Sequence, residues 1–150
     1  MDTPLLISDA ESIYNAILKL VISYPSYPTS FTPSQTTVLW NSIPQTNGIG
    51  LFPMQGAIYL RRYVSGSYVA QVPFRIVYKT GLTNNSGKIN SQVLIENVGK
   101  WLETCGINFK DSNFTLESIQ RTSPVYLIDQ DEKTTSLAVN LQAKYSFKKG

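Results

Sequence analysis

Two β-rich runs flank a short turn in the stretch AIYLRRYVSGSYVAQVPFRIVYKT, residues 57–80. The runs Ala57–Val64 and Tyr68–Thr80 are rich in β-branched and aromatic residues, which favour strands. Between them lies Ser65-Gly66-Ser67, where the glycine supplies the positive φ that a tight turn needs. The stretch therefore predicts a long β-hairpin.

The second run of this hairpin alternates in polarity, which predicts one buried and one wetter sheet face. Pro73 lacks an amide hydrogen for the ladder, so we expect a sheet edge or a bulge there. The first run is apolar on both faces and leaves two registers open, with Tyr68 opposite either Tyr63 or Val64. The predicted buried face of the second run carries Tyr68, Ala70, Val72, Phe74, Ile76 and Tyr78.

The C-terminal run Thr135–Lys149 alternates even more regularly. At about 3.3 Å per residue it predicts a strand of roughly 40 Å, much longer than the usual five or six residues. Phe114–Arg121 and Val125–Asp129 predict two shorter strands, and Asp129–Lys133 predicts a solvated turn rather than a calcium loop. The apolar face of the C-terminal run carries Leu137, Val139, Leu141, Ala143, Tyr145 and Phe147.

Two segments have helical periodicity. Ser8 and Glu11 have capping-box spacing, so a helix is expected from about Asp9 to Ser23. A second helix is expected from about Asn90 to Thr104, with Gly106 at the position of a helix C-cap. Its apolar face carries Leu94, Val98, Trp101, Leu102 and Cys105. Together these elements predict one α+β domain over residues 1–150, in which two main helices pack on a mixed or antiparallel sheet.

The connecting segments carry the proline and glycine punctuation typical of loops. The Tyr- and Pro-rich segment 24–34 is an extended arm or loop, read either as a connection from helix to sheet or as a segment that lies on a neighbouring subunit. Thr36–Ile43 predicts a short strand, and Gln45–Gly56 and Gly81–Lys88 predict loops. Gly48-Ile49-Gly50 does not continue into a dinucleotide fingerprint, since Pro53 replaces the third glycine.

Composition argues against catalysis. The chain has no histidine and one cysteine, which excludes a Ser-His-Asp triad, a Cys-His pair and a thiolate metal centre within one chain. We expect no enzyme activity, cofactor or metal. Met1–Leu6 has no basic start, and the apolar stretch Ile13–Ile22 is short and interrupted by Lys19, so neither a signal peptide nor a membrane span is expected.

Tyrosines and basic residues cluster around the hairpin, and this cluster is the candidate functional site. Three interpretations stay open for it: cross-strand packing, a protein–protein interface, or stacking on single-stranded nucleic acid. The candidate interface residues are Tyr59, Arg61, Arg62, Tyr63, Ser65, Gly66, Tyr68, Arg75 and Lys79.

The order of elements and four short motifs resemble a family of long-tailed double-stranded-DNA phages whose members are called minor capsid proteins or tail terminators. The motifs are Tyr63-Val64-Ser65-Gly66, Gln71-Val72-Pro73-Phe74, Trp101-Leu102 and Ala143-Lys144-Tyr145, and the resemblance covers residues from about 55 to the C-terminus. The family implies a non-catalytic virion protein of the tail or neck, present in the host cytoplasm during assembly.

The resemblance implies a ring, typically a hexamer, on the head-proximal end of the tail tube. Such a ring stops tube polymerisation and joins the tail to the head connector or stopper protein, while genomic double-stranded DNA passes through without sequence-specific binding. The hairpin and the C-terminal strand would then contact the neighbouring subunit through their edges. Two alternatives stay open: a head-completion, stopper or other neck protein, and a module that binds peptides by strand addition.

Overall fold

In a computed structural model, the described residues form two helices and one mixed sheet of eight strands, which confirms the predicted α+β class. The description covers residues 3–28, 33–34, 37–42, 44, 46–54, 59–81, 83–105, 110–111 and 114–148, with the backbone alone for 3–12, 110, 111 and 114. In chain order the elements are α1 (Thr3–Ile22), β1 (Val38–Trp40), β2 (Gly48–Pro53), β3 (Tyr59–Arg62), β4 (Tyr68–Thr80), α2 (Asn85–Thr104), β5 (Lys110–Asp111), β6 (Phe114–Arg121), β7 (Tyr126–Gln130) and β8 (Thr135–Phe147).

The two longest strands, β4 and β8, form the centre of the sheet. They pair antiparallel along their whole length, from Tyr68 opposite Phe147 to Thr80 opposite Thr135. Their apolar sides face the same layer and form much of the buried core, where Leu141 is fully buried. The alternation predicted for both strands is therefore confirmed.

Both edges of β8 are occupied. β4 pairs with one edge, whereas β6 and β7 pair with successive parts of the other. Between β6 and β7 the amide of Thr122 donates to the Asn140 carbonyl at 2.8 Å, and the Asn140 amide donates to Ser123 Oγ at 3.0 Å. The prediction that the C-terminal strand offers a free edge to a neighbouring subunit is therefore wrong, and the strand ends two residues before Lys149.

The first helix begins earlier than predicted. α1 starts at Thr3 rather than near Asp9, so the capping box at Ser8 and Glu11 does not mark its start. Pro4 lies in the first turn, where its fixed φ suits a helix and its missing amide hydrogen has no intrahelical partner to lose. The helix packs against β1 with a fully or almost fully buried row of Ile13, Ala16, Ile17 and Val21.

The second helix also begins earlier, at Asn85 instead of Asn90. Asn84 is its N-cap, and its Oδ1 accepts a hydrogen bond of 2.7 Å from the amide of Gly87. The helix lies across β4, β6 and β8, and its buried row is Gly87, Ser91, Ile95, Val98, Gly99 and Leu102. The predicted C-cap at Gly106 lies outside the described residues. Neither described helix combines the length and apolarity that crossing a membrane requires.

The loop predicted over Gln45–Gly56 is wrong, because β2 lies inside this segment. β2 pairs with both β1 and β4, and its side chains Ile49 and Leu51 are fully buried. Gly50 lies within β2, and a glycine is required there because the strand has no room for a side chain at this position. A Cβ at this position would lie 2.7 Å from the Ser42 carbonyl oxygen, so the glycine permits close approach of another segment.

The short strand expected within Thr36–Ile43 is confirmed as β1. It runs parallel to β2, although only seven residues connect the two. Parallel neighbours usually need a longer connection. Here seven residues suffice because β1 has only three residues, so the connection has a short distance to run back before β2 begins. Asn41 and Asn47, with φ values of 53° and 64°, lie at the two ends of this connection and help to reverse the chain.

The hairpin is confirmed as β3 and β4, but neither predicted register is correct. Arg62 lies opposite Tyr68, which leaves Tyr63 opposite Ser67 across a three-residue turn. β4 is an inner strand, so Pro73 does not lie in an edge strand. It lies opposite Met54, just past the end of β2, where the Met54 amide donates to the Pro73 carbonyl at 2.9 Å, so the ladder loses only the return bond from residue 73.

The described beginning of the Tyr- and Pro-rich segment folds back on the helices. Tyr24 is buried, and its ring meets those of Tyr27 and Trp101 edge-on at 4.9 and 5.6 Å. The hydroxyl of Tyr27 donates to the Val21 carbonyl at 2.6 Å, and burial raises its pKa. These residues pack on their own chain as a connection does, while residues 29–32 and 35–36 lie outside the description.

Candidate interaction surface

Six of the nine candidate interface residues lie together at one corner of the sheet, around the turn between β3 and β4. The corner is exposed and combines apolar with basic side chains. Leu60 and Arg61 also line an open depression of about 200 Å³ beside it, together with Glu117 and Lys144. The six predicted residues at this corner are Tyr59, Arg61, Arg62, Tyr63, Ser65 and Gly66.

Hydrogen bonds hold the turn at this corner in one conformation. The Tyr63 amide donates to the Ser67 carbonyl at 2.9 Å, and the Gly66 amide donates to the Tyr63 carbonyl at 3.0 Å. Gly66 has a φ of 99°, in the left-handed region, and is the residue that closes the three-residue hairpin loop. The turn therefore presents Val64, whose side chain is fully exposed, on a fixed backbone.

Aromatic contacts join β3 to the core. The guanidinium carbon of Arg62 lies 4.5 Å from the centre of the Tyr59 ring, within the range of a cation–π contact. The Tyr59 ring in turn meets Tyr68 edge-on at 5.0 Å. β3 is therefore anchored on its inner side, while Arg61 and Arg62 stay exposed on its surface.

Tyr68 does not belong to the exposed surface, although the sequence grouped it there. Its side chain is 8% exposed and stacks on Phe147 at 5.1 Å, with Tyr145 at 6.3 Å. For Tyr68 the structure supports cross-strand packing, because the apolar face of β4 is the face that the helices cover. The alternation places Tyr68 on the buried face, and this prediction is confirmed, whereas its place among the candidate interface residues is wrong.

Arg75 and Lys79 lie on the opposite, helix-free face of the sheet, away from the hairpin turn. Nε of Arg75 donates to Oδ1 of Asn140 at 3.3 Å, and the same oxygen accepts a 2.9 Å bond from the Tyr126 hydroxyl. Both basic residues line an open depression of about 270 Å³ that also contains Asp129. Asn140 and Tyr126 were not predicted, since a single amide or phenol on a polar strand face has no sequence signature.

A second exposed apolar site lies on β7 and was also missed. Leu127 is 52% exposed and Ile128 is 40% exposed. A register shift between Leu127 and Asp129 leaves Ile128 without a partner in β8. Two apolar residues in succession on an alternating strand would have signalled that one of them faces solvent. In the described part of the chain the large exposed apolar side chains are Leu60, Tyr63, Val64, Ile89, Val93, Leu127 and Ile128.

Five of those seven side chains belong to the β3–β4 turn region or to β7. The other two, Ile89 and Val93, lie four residues apart on α2 and form a separate pair on the helix surface. Exposed apolar residues scattered singly are normal on a protein surface, whereas grouped ones mark contact sites. The structure thus brings exposed apolar side chains together at two separate edges of one sheet.

Three findings concern the ionisable groups of the described residues. Among these residues, no cluster of three or more His, Cys, Asp or Glu side chains is placed to bind a metal. Burial raises the pKa of the half-buried Cys105 thiol, which favours its neutral form. Glu103 is half-buried and accepts 3.0 Å bonds from Nε and the backbone amide of Arg121, joining α2 to β6.

Comparisons with models of known protein families and with curated protein sequences found no match to this chain.

Proposed function

We propose that the chain is a virion assembly protein, a tail terminator that forms a ring on the head-proximal end of a phage tail tube. The observation that carries the proposal is the exposed corner at the β3–β4 turn, where Leu60, Tyr63 and Val64 are exposed beside two arginines. Tyrosine and arginine are enriched in protein interfaces. An edge strand that offers such side chains pairs readily with another chain unless its charges prevent it.

The division of the sheet supports an assembly role. The helices cover one face, and the central strands hold the fold, so the corner can engage a partner without unfolding its own core. A ring is built from head-to-tail contacts that use two different surfaces of each subunit. The exposed apolar side chains on β7 supply a second surface, separate from the first.

Negative-stain electron microscopy of the purified protein, alone and with polymerising tail tube protein from the same virion, tests this proposal. The expected result is a ring of uniform diameter that caps one tube end and stops tube growth. A protein that stays monomeric at all concentrations, alone and with tubes, would contradict the proposal. Pull-down on the connector protein, with no binding to tubes, would instead assign the chain to the head side of the neck.

A second candidate function is binding of an extended peptide along β3 by strand addition. What favours it is that, in the described residues, β3 pairs only with β4. The arginines of β3 would select acidic peptides. Titration with an acidic β-forming peptide distinguishes the two functions, because a tail terminator binds its own copies and the tube in preference to a free peptide.

A further inference from the structure

Four strands have a single partner in the described part of the chain, namely β1, β3, β5 and β7, and of these β3 and β7 lie at diagonally opposite corners of the sheet. β3 lies beside the Tyr68–Ala70 part of β4, at the end of the sheet where β8 finishes. β7 lies beside the Thr135–Ala138 part of β8, at the other end and on the other side. In the described part of the chain neither strand has a second partner.

The two edges carry opposite charge. β3 carries Arg61 and Arg62, both exposed. β7 and the turn after it carry Asp129, Asp131 and Glu132 against a single Lys133, all of them exposed. Like edges therefore repel each other, whereas the β3 edge and the β7 edge attract, which is the pattern that selects one pairing over the others.

The two edges also match in apolar content. Leu60, Tyr63 and Val64 are exposed at the first edge, and Leu127 and Ile128 at the second. Contact between the edges would remove five apolar side chains from water, which is the main favourable term in association. Neither edge has such a partner within its own chain in the described residues.

The backbone at each edge is oriented for pairing. Tyr63 donates its amide to Ser67, so the next pair in the antiparallel ladder, Arg62 with Tyr68, is not hydrogen-bonded internally. The amide and carbonyl of Arg62 therefore point away from β4. By the same alternation, the bond from the Asp131 amide to the Thr134 carbonyl turns the amide and carbonyl of Gln130 outwards from β8. The Gln130 amide donates there to Oδ1 of Asp129 at 2.9 Å, so pairing exchanges this side-chain bond for a bond to the partner strand.

Strand direction decides the kind of assembly. β3 and β7 are antiparallel to β4 and β8 respectively, and β4 is antiparallel to β8, so β3 and β7 run in opposite directions within one chain. A second copy that is rotated about an axis parallel to the strands keeps its strand directions. Its β3 can therefore lie antiparallel to the β7 of the first copy. Since the two surfaces differ, the contact is heterologous and extends into a ring or a filament rather than a two-fold dimer.

We infer that the partner of the β3 edge is the β7 edge of a second copy of this chain, paired antiparallel around Arg62 and Gln130. The inference rests on the proposed ring and names the contact that would build it. Both strands carry a bulge, between Tyr59 and Arg61 and between Leu127 and Asp129, which keeps the new ladder short. One short strand pair makes a weak interface, so ring closure or the tail tube would supply the remaining stability.

A charge-swap experiment tests the pairing. Variant one, Arg61→Glu with Arg62→Glu, makes the β3 edge acidic like the unchanged β7 edge. Variant two, Asp129→Lys with Glu132→Lys, makes the β7 edge basic like the unchanged β3 edge. Each alone is expected to associate about tenfold or more weakly than wild type, since like charges now face each other. Mixed in equal amounts, the two restore association, because every contact again joins opposite charges. Sedimentation velocity from micromolar to millimolar concentration measures all four samples, and circular dichroism checks folding.

The matched control for variant one is Lys19→Glu with Lys100→Glu, which makes the same charge change on the exposed surfaces of α1 and α2. It should associate as wild type does. If variant one or two also associates as wild type does, or if the folded variants fail to restore association on mixing, the edge pairing is overturned while the ring proposal stands. If wild type is monomeric throughout and does not bind tail tubes, the proposed function fails as well.

Discussion

β4 and β8 have thirteen residues each and pair with each other along their entire length, whereas β3 has four residues and β7 has five. All four strands contain tyrosine and branched apolar residues. In the long pair nearly all of these side chains are buried, so the strands belong to the core. In the short pair they are exposed and lie beside charges.

This difference separates stability from association. The long strands lie at the centre of the sheet, with other strands on both sides and α2 across one face, and their contacts are buried. The short strands are held by one neighbour each, so their outer side chains contribute little to folding and are available to a partner. Substitutions in the long pair should therefore change the free energy of unfolding, and those in the short pair should change association.

The largest effect is expected at the centre of β8. Leu141 is fully buried opposite Phe74, so Leu141→Ala removes core contacts and leaves a cavity. We expect a loss of about 2–5 kcal/mol in the free energy of unfolding, measured by urea denaturation. The matched control is Leu127→Ala on β7, where the side chain is 52% exposed and the expected change is within about 0.5 kcal/mol. Equal losses at both positions would remove the distinction between the long and the short strands.

A smaller loss is expected from Gly50→Ala in β2, the strand that flanks β4. The new Cβ would lie 2.7 Å from the Ser42 carbonyl oxygen and 3.0 Å from Pro44 Cδ, so backbone must move. Overpacking of this kind costs about 1–3 kcal/mol. Gly81→Ala is the control, because its Cβ would meet the Thr46 methyl group at 3.3 Å, which a small side-chain shift relieves, and the Lys133 carbonyl oxygen at 4.0 Å. A stable Gly50→Ala protein would show that the Ser42 segment is free to shift.

The long strands were the easiest part of the fold to predict. Alternation in β4 and β8 reports burial directly, and the bounds of β4 and β6 match those expected. Alternation does not name a partner, however, so the pairing of β4 with β8 was not predictable. β2 was missed because its glycines resemble loop residues, although Gly50 is a close-packing position.

The candidate surface was predicted only in part, for the same reason. Exposed tyrosine and arginine near Gly66 were found, because a turn must lie at the surface. The complementary site on β7 has no turn glycine or basic cluster to mark it. The start of α2 was also missed, since Asn84 caps a helix with the same residue type that turns prefer.

The helix layer gives a third test, with an effect of about 1 kcal/mol. Asn84→Ala removes the acceptor for the Gly87 amide at the start of α2, the helix that covers β4 and β8. The expected result is a lower urea midpoint with an unchanged slope. Asn90→Ala, at an exposed position inside the same helix, should be neutral or slightly stabilising because alanine is the better helix former. A loss at Asn90 as large as that at Asn84 would point to general sensitivity of α2 rather than to capping.

The smallest effect is expected at the turn between β7 and β8, where the two kinds of strand meet. Backbone amides of Lys133 and Thr134 donate to Oδ1 of Asp131 at 2.7 and 2.8 Å, and these bonds lower the pKa of its carboxyl. A folded pKa below the unfolded value means that the ionised carboxylate stabilises the fold above the unfolded pKa. That contribution is lost as pH falls through the folded pKa.

Urea denaturation of wild type and Asp131→Asn at neutral and acidic pH measures this contribution. Wild type should be the more stable at neutral pH, and the difference should shrink as pH falls below the ordinary range of an aspartate. Glu132→Gln is the control, since it removes a neighbouring exposed charge whose carboxylate receives no such backbone bonds in the described residues. A difference between wild type and Asp131→Asn that does not depend on pH would assign the effect to the shape of the turn rather than to the charge of Asp131.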